Sequence, residues 1–457
     1  MTRRCATGVL AAAIALLCAC AGPEARIRRE LARTNSDHSH VITLPAGVVE
    51  IAEELVIPLG AQDVEIVGGG GTILRMAPHF RGRAAIVASK AQRLKLRGFT
   101  IEGNRAANPQ PLELAPPENA FRTIYRDNGI LLDEVEGAEI FDVVVREVSN
   151  FAVLVSRSSK VRIDRVAVQD SGSLNAKGRN NGSGGMLLEE GTSDFSVTHC
   201  DFLRVRGNAL WTHTLFTSPP NRRGVFAENH VDTVARDAFQ VGGGIEIRVE
   251  KNHAEHIGYP PELVDNENQA TPVGVDTAGD VGQSSYSGNE FREVNGKCFD
   301  LDGFHDGEVR GNVCRNAGEA SAYPNGHFGV VFNNNDPRMR SSGVRVADNV
   351  FEGMKFGGVF LIGQRQVVEG NTFTRINTAH CNDRAEFGCL YLKAEPDLLR
   401  SGVYLSRGVK RMEETRGNVI RRNRLSGFGM RSHCVTAGPG VALKDNEIAG
   451  NACMDEK

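Results

Sequence analysis

The sequence predicts an all-β solenoid in which short parallel strands stack coil upon coil. A four-position pattern recurs along the chain with a period in the twenties of residues, and an asparagine recurs between its copies. The composition agrees, because 51 glycines among 457 residues, together with abundant valine, isoleucine and asparagine, favour short strands and tight turns over long helices.

The N-terminal segment, residues 1–21, has the layout of a bacterial export signal. Two arginines precede an apolar run and then small residues, which is typical of a cleaved signal rather than a membrane span. Two processing routes remain open: cleavage at the small residues around Cys20, or lipidation of Cys20, because the residues before it resemble a lipobox. We therefore expect a periplasmic protein, an outer-membrane lipoprotein or a secreted protein.

Charge and hydropathy narrow the class of partner. The formal net charge of -3 does not favour binding to a nucleic acid or to an anionic membrane. No segment after the signal is long and apolar enough to cross a bilayer. We expect a monomer whose only membrane attachment is the lipid anchor that Cys20 would carry.

Residues 22–37 are expected to form an N-terminal cap. Residues 23–35 have helical spacing and charge, and a short helix there would cover the unpaired strand edge of the first coil. The solenoid itself is assigned to residues 38–452.

The first repeat is a small residue followed by an apolar, a variable and a second apolar residue, and it predicts one strand per coil. Its small residue is glycine, alanine or cysteine in all ten copies, which indicates a stacked column. The copies begin at Gly129, Ala152, Gly185, Ala209, Ala238, Gly274, Cys298, Gly329, Gly358 and Gly402.

The second repeat alternates with the first and carries the asparagine. Each side-chain amide can donate a hydrogen bond to the next copy along the stack, as in other in-register β stacks. The asparagines assigned to this ladder are Asn229, Asn252, Asn289, Asn312, Asn349, Asn371, Asn423 and Asn446.

These columns resemble those of the right-handed parallel β-helix of the pectate-lyase superfamily. The segments VITLPAGVVEI, DVEIVGGGGTILRM and LKLRGFTIEGN also resemble the first coils of that superfamily. The resemblance covers roughly residues 38–450 and implies a single-stranded right-handed parallel β-helix with a short N-terminal capping helix. It does not select a function, because many chemistries share this scaffold.

Strand alternation defines an outer strip, made of the two outward positions of each first-repeat strand. Its polar and charged members lie in the middle coils beside the only tryptophan, with apolar or aromatic positions on either side, which is typical of a saccharide groove. The strip runs through Leu131 and Asp133, Leu154 and Ser156, Leu187 and Glu189, Trp211 and His213, Gln240 and Gly242, Asp276 and Ala278, Asp300 and Asp302, Val331 and Asn333, Phe360 and Ile362, and Tyr404 and Ser406. The longer inserts expected to wall it are residues 103–126, 169–183, 213–223, 258–272, 316–327, 333–343 and 377–401.

Three aspartates crowd the middle of this strip. Asp300 and Asp302 should lie about 7 Å apart on one strand, with Asp276 about 5 Å from Asp300 on the neighbouring coil. Like charges facing each other are destabilising and aspartate is disfavoured in strands, so the cluster favours a shared proton, a bound cation or catalysis. The alternative is a set of solvated surface carboxylates, with His305 in a polar turn.

Glycoside hydrolysis is the function that these residues favour. It needs one carboxyl group held protonated and one ionised, and crowding separates the pKa values of neighbouring acids. Asp276, Asp300 and Asp302 can supply this pair without a cofactor, acting on a polysaccharide or oligosaccharide. The residues expected to contact the sugar, one by stacking and the others through its hydroxyl groups, are Trp211, His213, Gln240 and Asn333.

Polygalacturonases, hydrolases of this fold, place acids just before the small residue of consecutive coils. RDAF puts Asp237 in such a position, and GHFG around His327 is loosely similar to their Gly-His-Gly motif. Val273 and Lys297 occupy the equivalent position in the coils between, so the polygalacturonase specificity is not carried over. Asp237 and His327 remain candidate substrate-binding residues.

Two other functions remain open. A polysaccharide lyase or uronate epimerase would hold Ca²⁺ with the aspartates and use Lys297 as the base, provided that its pKa is lowered; otherwise Lys297 pairs with the cluster. DGFHDG, which contains His305, resembles the acid-and-histidine motif of mannuronan epimerases, and His305 is a further candidate catalytic residue that would reach the site from an adjoining turn. The third function is non-catalytic: an envelope protein that binds glycan.

The cysteines beyond the signal are odd in number and lack metal-ligand spacing, so the sequence does not favour zinc. In an oxidising compartment Cys381 with Cys389, and Cys434 with Cys453, are candidate disulfides. Free buried thiols are the alternative at each of these positions.

Overall fold

The computed structural model describes residues 22–34, 39–116, 118–265, 271–334, 339–381, 389, 395–408 and 411–456. Each coil passes through three faces in turn, and the strands pair in parallel with their equivalents in the neighbouring coils. The predicted parallel β-helix is confirmed. The expected signal, including Cys20, lies outside the described residues.

Ten of the first-face strands that follow come from the ten copies of the first repeat, and the last strand comes after the last copy. These strands are β7 (Asn128–Asp133), β10 (Val153–Ser156), β13 (Met186–Glu189), β16 (Leu210–His213), β19 (Phe239–Gly242), β22 (Val273–Ala278), β26 (Lys297–Asp302), β30 (Val330–Asn333), β33 (Val359–Leu361), β36 (Val403–Leu405) and β39 (Val435–Ala437).

The second face is a separate sheet. Its strands are β1 (His40–Leu44), β3 (Val64–Gly68), β5 (Gln92–Arg97), β8 (Glu136–Phe141), β11 (Ser159–Asp164), β14 (Ser193–Thr198), β17 (Asn221–Ala227), β20 (Gly244–Glu250), β23 (Val281–Gly282), β24 (Ser285–Ser287), β27 (Phe304–His305), β28 (Glu308–Arg310), β31 (Arg345–Ala347), β34 (Val367–Glu369), β37 (Val419–Arg421) and β40 (Glu447–Ala449).

The third face joins the first through two long strands of the early coils, β2 (Gly47–Ile57) and β4 (Thr72–Ser89). Its other strands are β6 (Thr100–Glu102), β9 (Val144–Arg146), β12 (Ala167–Gln169), β15 (Asp201–Val205), β18 (His230–Val234), β21 (His253–Ile257), β25 (Glu290–Val294), β29 (Val313–Arg315), β32 (Val350–Glu352), β35 (Thr372–Ile376), β38 (Arg424–Gly427) and β41 (Ala452–Asp455). In the described part of the chain, short 3-10 turns lie in connecting segments at Phe121–Thr123, Pro261–Leu263, Ala320–Ala322 and Leu443–Asp445.

The main core fills the interior of the coils with stacked valine, isoleucine, leucine and phenylalanine side chains. The chain turns sharply after several first-face strands, where Gly243, Gly279 and Gly303 have φ of 55°, 88° and 68°. Glycine is favoured there because a side chain opposes this left-handed conformation. Glu190 occupies the same kind of corner with φ 58°.

The asparagine ladder forms inside one corner of the stack. The Nδ2 atom of Asn229 donates to Oδ1 of Asn252 at 2.9 Å, and the pattern continues through the next five predicted positions to Asn423. The assignment of Asn446 to this ladder is wrong, because Asn423 donates to Asn451. Asn446 instead accepts from Asn418 in a second ladder.

The helix α1 (Pro23–Ala32) covers the first coil, as predicted. Its buried residues Ile27 and Leu31 pack on the end of the main core. Arg28 donates from its guanidinium group to the backbone carbonyl oxygen atoms of Glu53 and Glu54, which satisfies part of the exposed edge of β2. Among the described residues, no helix has the length and apolar character needed to cross a membrane.

Both candidate disulfides are present, Cys381–Cys389 and Cys434–Cys453. A third disulfide, Cys298–Cys314, joins two buried cysteines whose Cα atoms are 6.3 Å apart. Sequence reasoning missed it because the pair links the first face to the third across the coil interior. Cys200 is buried and free.

Candidate active site

The predicted alignment of the outer strip is present in the structure. Its first positions pair coil by coil in register, so the side chains form one continuous column. The column runs in the order Leu131, Leu154, Leu187, Trp211, Gln240, Asp276, Asp300, Val331, Phe360 and Tyr404.

The first coils of the strip are covered rather than open. Residues from the insert 103–126, including Phe121 and Tyr125, pack on the three leucines of the column and on Trp211, which form a second hydrophobic core. Trp211 is only 4% exposed, with the ring of Phe121 at 5.0 Å. The prediction that Trp211 is an open stacking platform is therefore wrong, because the insert folds over the strip.

His213 lies beneath the same cover. Its ring stacks on Phe121 at 4.3 Å, and burial lowers the pKa of His213 to about 4. Its Nδ1 atom lies 3.9 Å from Oε1 of Glu190. The imidazole thus faces Phe121 and Glu190 rather than an open groove.

The acid cluster lies in the middle coils, where Asp276 of β22 pairs in register with Asp300 of β26. Adjacent strands in a sheet are about 4.8 Å apart, so the two side chains are direct neighbours. Asp300 is buried and Asp276 is partly exposed. The expectation of two adjacent carboxyl groups on the first face is met.

Lys297 donates from Nζ to Oδ2 of Asp300. Burial acts to lower the pKa of Lys297, but the charge of Asp300 and this hydrogen bond outweigh it, so the pKa is raised. The lyase hypothesis required a lowered pKa for Lys297. The structure instead agrees with the alternative, in which Lys297 pairs with the aspartate cluster as its cationic partner.

Asp276 has the opposite environment. Burial, together with the charges of Asp237 and Asp300, raises the pKa of Asp276 well above its usual range. Gln240 donates from Nε2 to Oδ2 of Asp276 at 2.8 Å, and Asn208 donates to Gln240 Oε1 at 2.6 Å. This chain of amides orients the Asp276 carboxyl group, so the side chain of Gln240 is committed to the protein.

Asp237, from the preceding coil, is the third acid beside Asp276 and Asp300, and these three aspartates form the acid row. Burial raises the pKa of Asp237 to about 7, against the opposing charge of Arg236. The backbone N–H of Val273 donates to Asp237 Oδ1 at 3.0 Å, and Arg236 Nε lies 3.4 Å from Oδ2. At 1% exposure, Asp237 is a buried neighbour of the pair rather than an open contact for substrate.

Two further predicted residues border the cluster. Asp302 lies two residues after Asp300 on β26 and pairs in register with Asn333 of β30. Both side chains are partly exposed. The backbone N–H of His327 donates to the carbonyl oxygen of Gly296 at 3.1 Å. Burial and the nearby charge of Lys297 lower the pKa of His327 to about 3, and its Nδ1 atom is buried.

His305 lies apart from the acid row. It belongs to β27 on the second face, where its ring nitrogen atoms lie 2.8 Å from Asp280 and 3.0 Å from Asp306. Arg340 also contacts Asp306, at 3.1 Å. The predicted catalytic contribution of His305 is not supported by this position, because the turn after β26 carries it onto another face.

Sequence reasoning missed three polar residues around the column. Asn208 and Arg236 precede their strands and turn toward the acid row, where they contact Gln240 and Asp237. Glu189 was placed on the strip without a role, yet it is fully buried and accepts backbone N–H groups from Phe121 at 2.7 Å and Arg122 at 3.1 Å. Only the folding of insert 103–126 reveals this contact.

A cavity of about 280 Å³ opens beside the C-terminal ends of the first-face strands in these coils. Its lining includes His213, Leu215 and Ser218 on one side and Gly279 and Asp280 on the other.

Comparison with known proteins agrees with the architecture. A family model described as a right-handed β-helix region matches residues 273–454. No curated protein sequence matches the chain.

Three solved structures share the fold at low sequence identity. The N-terminal fragment of gene product 12 of bacteriophage Phi29 has a TM-score of 0.59 at 11% identity, covering 88% of this chain and 66% of its own. A GH136 lacto-N-biosidase from Eubacterium ramulus has a TM-score of 0.53 at 13% identity, covering 80% of this chain, which spans 62% of that enzyme. PfbA, a surface adhesin of Streptococcus pneumoniae, has a TM-score of 0.52 at 10% identity, covering 78% of this chain and 88% of its own. At these identities the likeness concerns fold alone, and that fold is the right-handed parallel β-helix.

Proposed function

We propose that the protein is a carbohydrate-active enzyme that hydrolyses a glycosidic bond of a polysaccharide or oligosaccharide. The reaction takes place at Asp276 and Asp300 on the first face, which we call the acid pair. The observation that carries the proposal is the contrast between two adjacent aspartates. Asp276 has a raised pKa and a neutral amide partner, whereas Asp300 is paired with the ammonium group of Lys297. Glycoside hydrolysis requires such a division between two carboxyl groups.

The two aspartates have different roles in this proposal. Asp276, which is partly exposed and whose pKa is raised by burial and by the charges of its acidic neighbours, donates a proton to the leaving-group oxygen. Asp300 provides the carboxylate that acts on the sugar carbon, either directly or through a water molecule. Gln240 holds the proton donor in place, and Lys297 holds the Asp300 side chain through a hydrogen bond from Nζ to Oδ2.

Elimination by a Ca²⁺-dependent lyase has less support. A lysine base must lose its proton, and the raised pKa of Lys297 opposes this. Among the described residues, three groups of acidic and histidine side chains bring three ligand atoms within 4.8 Å of one another, and Asp276, Asp300 and Asp302 are not among them. The proposal therefore includes no metal cofactor at the acid pair.

We also propose that the protein is exported, because an enzyme that acts on extracellular glycans must leave the cytoplasm to reach them. The signal-like residues 1–21 support it. The mass of the mature N-terminal peptide decides between the two processing routes, because a lipidated Cys20 adds acyl chains and simple cleavage does not.

The test is turnover of a panel of plant, algal and bacterial glycans, with and without a chelator. We expect new reducing ends, no ultraviolet absorbance from unsaturated uronates, and no effect of the chelator. Asp276→Asn should lower kcat by about 10²–10⁴-fold, the usual contribution of a general acid, and should fold because the amide resembles the protonated acid in shape. Asp280→Asn is the matched control, since Asp280 is exposed and contacts His305.

Other outcomes assign other functions. Absorbance that disappears with the chelator would indicate a lyase. Glycan binding that survives in both variants, without turnover in the wild type, would indicate a binding protein.

A further inference from the structure

We propose that Glu189, Glu190 and His213 form a binding site for one divalent cation with affinity for imidazole, such as Zn²⁺. Ligand atoms of the three side chains lie within 4.8 Å of one another, and all three residues are buried. This site is separate from the acid pair, and its existence does not depend on the proposed hydrolysis.

The fold brings the three side chains together from two coils. Glu189 of β13 and His213 of β16 are partners in register on the first face. Glu190 follows Glu189 at the corner of the coil, and its Oε1 atom lies 3.9 Å from Nδ1 of His213. One imidazole and two carboxylates therefore converge at the end of adjacent strands.

An unsatisfied polar atom points to a missing ligand. Nδ1 of His213 is buried and has no hydrogen-bond partner among the described residues, and the residue as a whole is only 8% exposed. A buried polar atom without a partner is costly, commonly by about 1–3 kcal/mol. A cation beside Nδ1 would satisfy its lone pair and compensate the two buried carboxylates at the same time.

The carboxylates are oriented as metal ligands usually are, by donors behind them. Glu189 accepts the backbone N–H groups of Phe121 and Arg122, while Glu190 accepts the backbone N–H of Leu215 at 2.9 Å and the hydroxyl of Ser218. Each carboxylate oxygen can accept more than one bond, so these contacts leave lone pairs available to a cation.

The donor set selects the class of cation. Nitrogen and oxygen ligands lie about 2.0–2.2 Å from Zn²⁺, which places neighbouring ligand atoms of a tetrahedron roughly 3.3–3.6 Å apart. The 3.9 Å between His213 Nδ1 and Glu190 Oε1 needs only a small closure to reach this. Ca²⁺ and Mg²⁺ prefer oxygen ligands alone, whereas imidazole suits Zn²⁺ and its transition-metal neighbours.

The site also has an entry path and a consequence for the fold. His213, Leu215 and Ser218 line the cavity of about 280 Å³, so an ion can reach the cluster from solvent and a water molecule can fill the fourth position. Because Glu189 holds the backbone of Phe121 and Arg122, the cation would fasten the cover of the outer strip to the coils beneath it.

The first test is titration of chelator-treated protein with Zn²⁺, and separately with Co²⁺ to record its absorption spectrum. We expect one ion per chain with a tetrahedral Co²⁺ spectrum, and at least a tenfold weaker affinity in His213→Gln and in Glu190→Gln. His253→Gln is the matched control, because His253 belongs to a more exposed group with His230 and Glu255 on the third face. Its affinity should stay within twofold of the wild type.

A second test needs no variant and so does not depend on their folding. Anomalous diffraction at the zinc edge from crystals of the wild-type protein should show a peak between Glu189, Glu190 and His213. Absence of stoichiometric binding by the wild type, a peak elsewhere only, or loss of binding in His253→Gln but not in His213→Gln would each overturn the proposal.

Discussion

Asp237 and Glu369 both lie beside arginine, yet the structure shifts their pKa values in opposite directions. Burial raises the pKa of Asp237 to about 7, because the single neighbouring guanidinium group, that of Arg236, does not replace the lost hydration. Hydrogen bonds from three arginines lower the pKa of Glu369 to about 2. Desolvation and the number of charged donors that reach the carboxylate together decide the direction of the pKa shift, not the presence of an arginine nearby.

This contrast predicts a pH dependence of stability. An acid whose folded pKa exceeds its unfolded value of 3.8 binds protons preferentially in the folded state, so stability from Asp237 falls as the pH rises from about 4 through 7. The slope is at most about 1.4 kcal/mol per pH unit for one group. Asp237→Asn should remove this contribution, measured as a smaller drop in the urea midpoint between pH 5 and pH 7.

Glu369→Gln is the control for this pH experiment. The folded pKa of Glu369 is about 2, so its contribution to stability is present above pH 4.5 and is lost only at lower pH. It should leave the difference between pH 5 and pH 7 unchanged. Asp276, whose pKa is also raised, contributes to the slope in both proteins. A drop in Asp237→Asn as large as that of the wild type would show that Asp237 contributes none of it.

At the scale of elements, the insert 103–126 acts as a cover over the first coils. Trp211 is the only tryptophan, so its fluorescence reports on this cover alone. Phe121→Ala removes the ring that packs on both Trp211 and His213, at a cost of about 3–5 kcal/mol for a buried phenylalanine. We expect acrylamide to quench the wild-type fluorescence weakly and that of Phe121→Ala severalfold more strongly.

Phe428→Ala serves as the matched control for the cover, because Phe428 is 37% exposed and far along the chain from the insert. It should leave quenching at the wild-type level. Strong quenching in the wild type would contradict the buried position of Trp211.

The asparagine ladder is a second element whose contribution to the free energy of unfolding can be tested. Asn312 is buried, and its Nδ2 donates to the carbonyl oxygen of Tyr286 and to Asn349 Oδ1, both at 2.9 Å. Asn312→Ala removes the side-chain donor to the Tyr286 carbonyl oxygen and the acceptor of two N–H groups of Asn289, at about 1–3 kcal/mol for each group left unpaired. Asn349 Oδ1 keeps the backbone N–H of residue 312 as a donor. Asn451→Ala, at the partly exposed end of the ladder, should lower the melting temperature much less. Equal losses would show that the ladder does not act through buried hydrogen bonds.

At the scale of the whole molecule, the repeats made the fold predictable, because the small-residue and asparagine columns are set by local spacing. The same spacing predicted that Asp276 and Asp300 face each other, which register alone determines. The spacing gave the wrong residue at Asn446. The interval from Asn423 to Asn446 equals earlier intervals in the ladder, but the last coil is longer and its ladder residue is Asn451. The spacing also failed for Trp211, because a repeat pattern carries no information about where an irregular insert folds.

The last coil shows how stability varies along such a stack, where each coil contacts only its neighbours. β40 and β41 are largely exposed, with Met454 at 55%, and the Cys434–Cys453 disulfide fastens this coil to β39. A disulfide closing a loop of this size contributes about 3 kcal/mol. Cys453→Ser should therefore accelerate amide hydrogen exchange in the last coil by about 10²-fold, since each 1.4 kcal/mol corresponds to about tenfold, while the coils around Asp276 keep their protection.

The control for the last coil is Cys200→Ser, which removes a thiol that forms no disulfide and lies in the earlier coils. Exchange in the last coil should then stay at the wild-type rate. A loss of protection spread evenly over all coils in Cys453→Ser would mean that the solenoid unfolds as one cooperative unit. In that case the disulfide would stabilise the acid pair as much as the end of the stack, despite the distance along the chain between them.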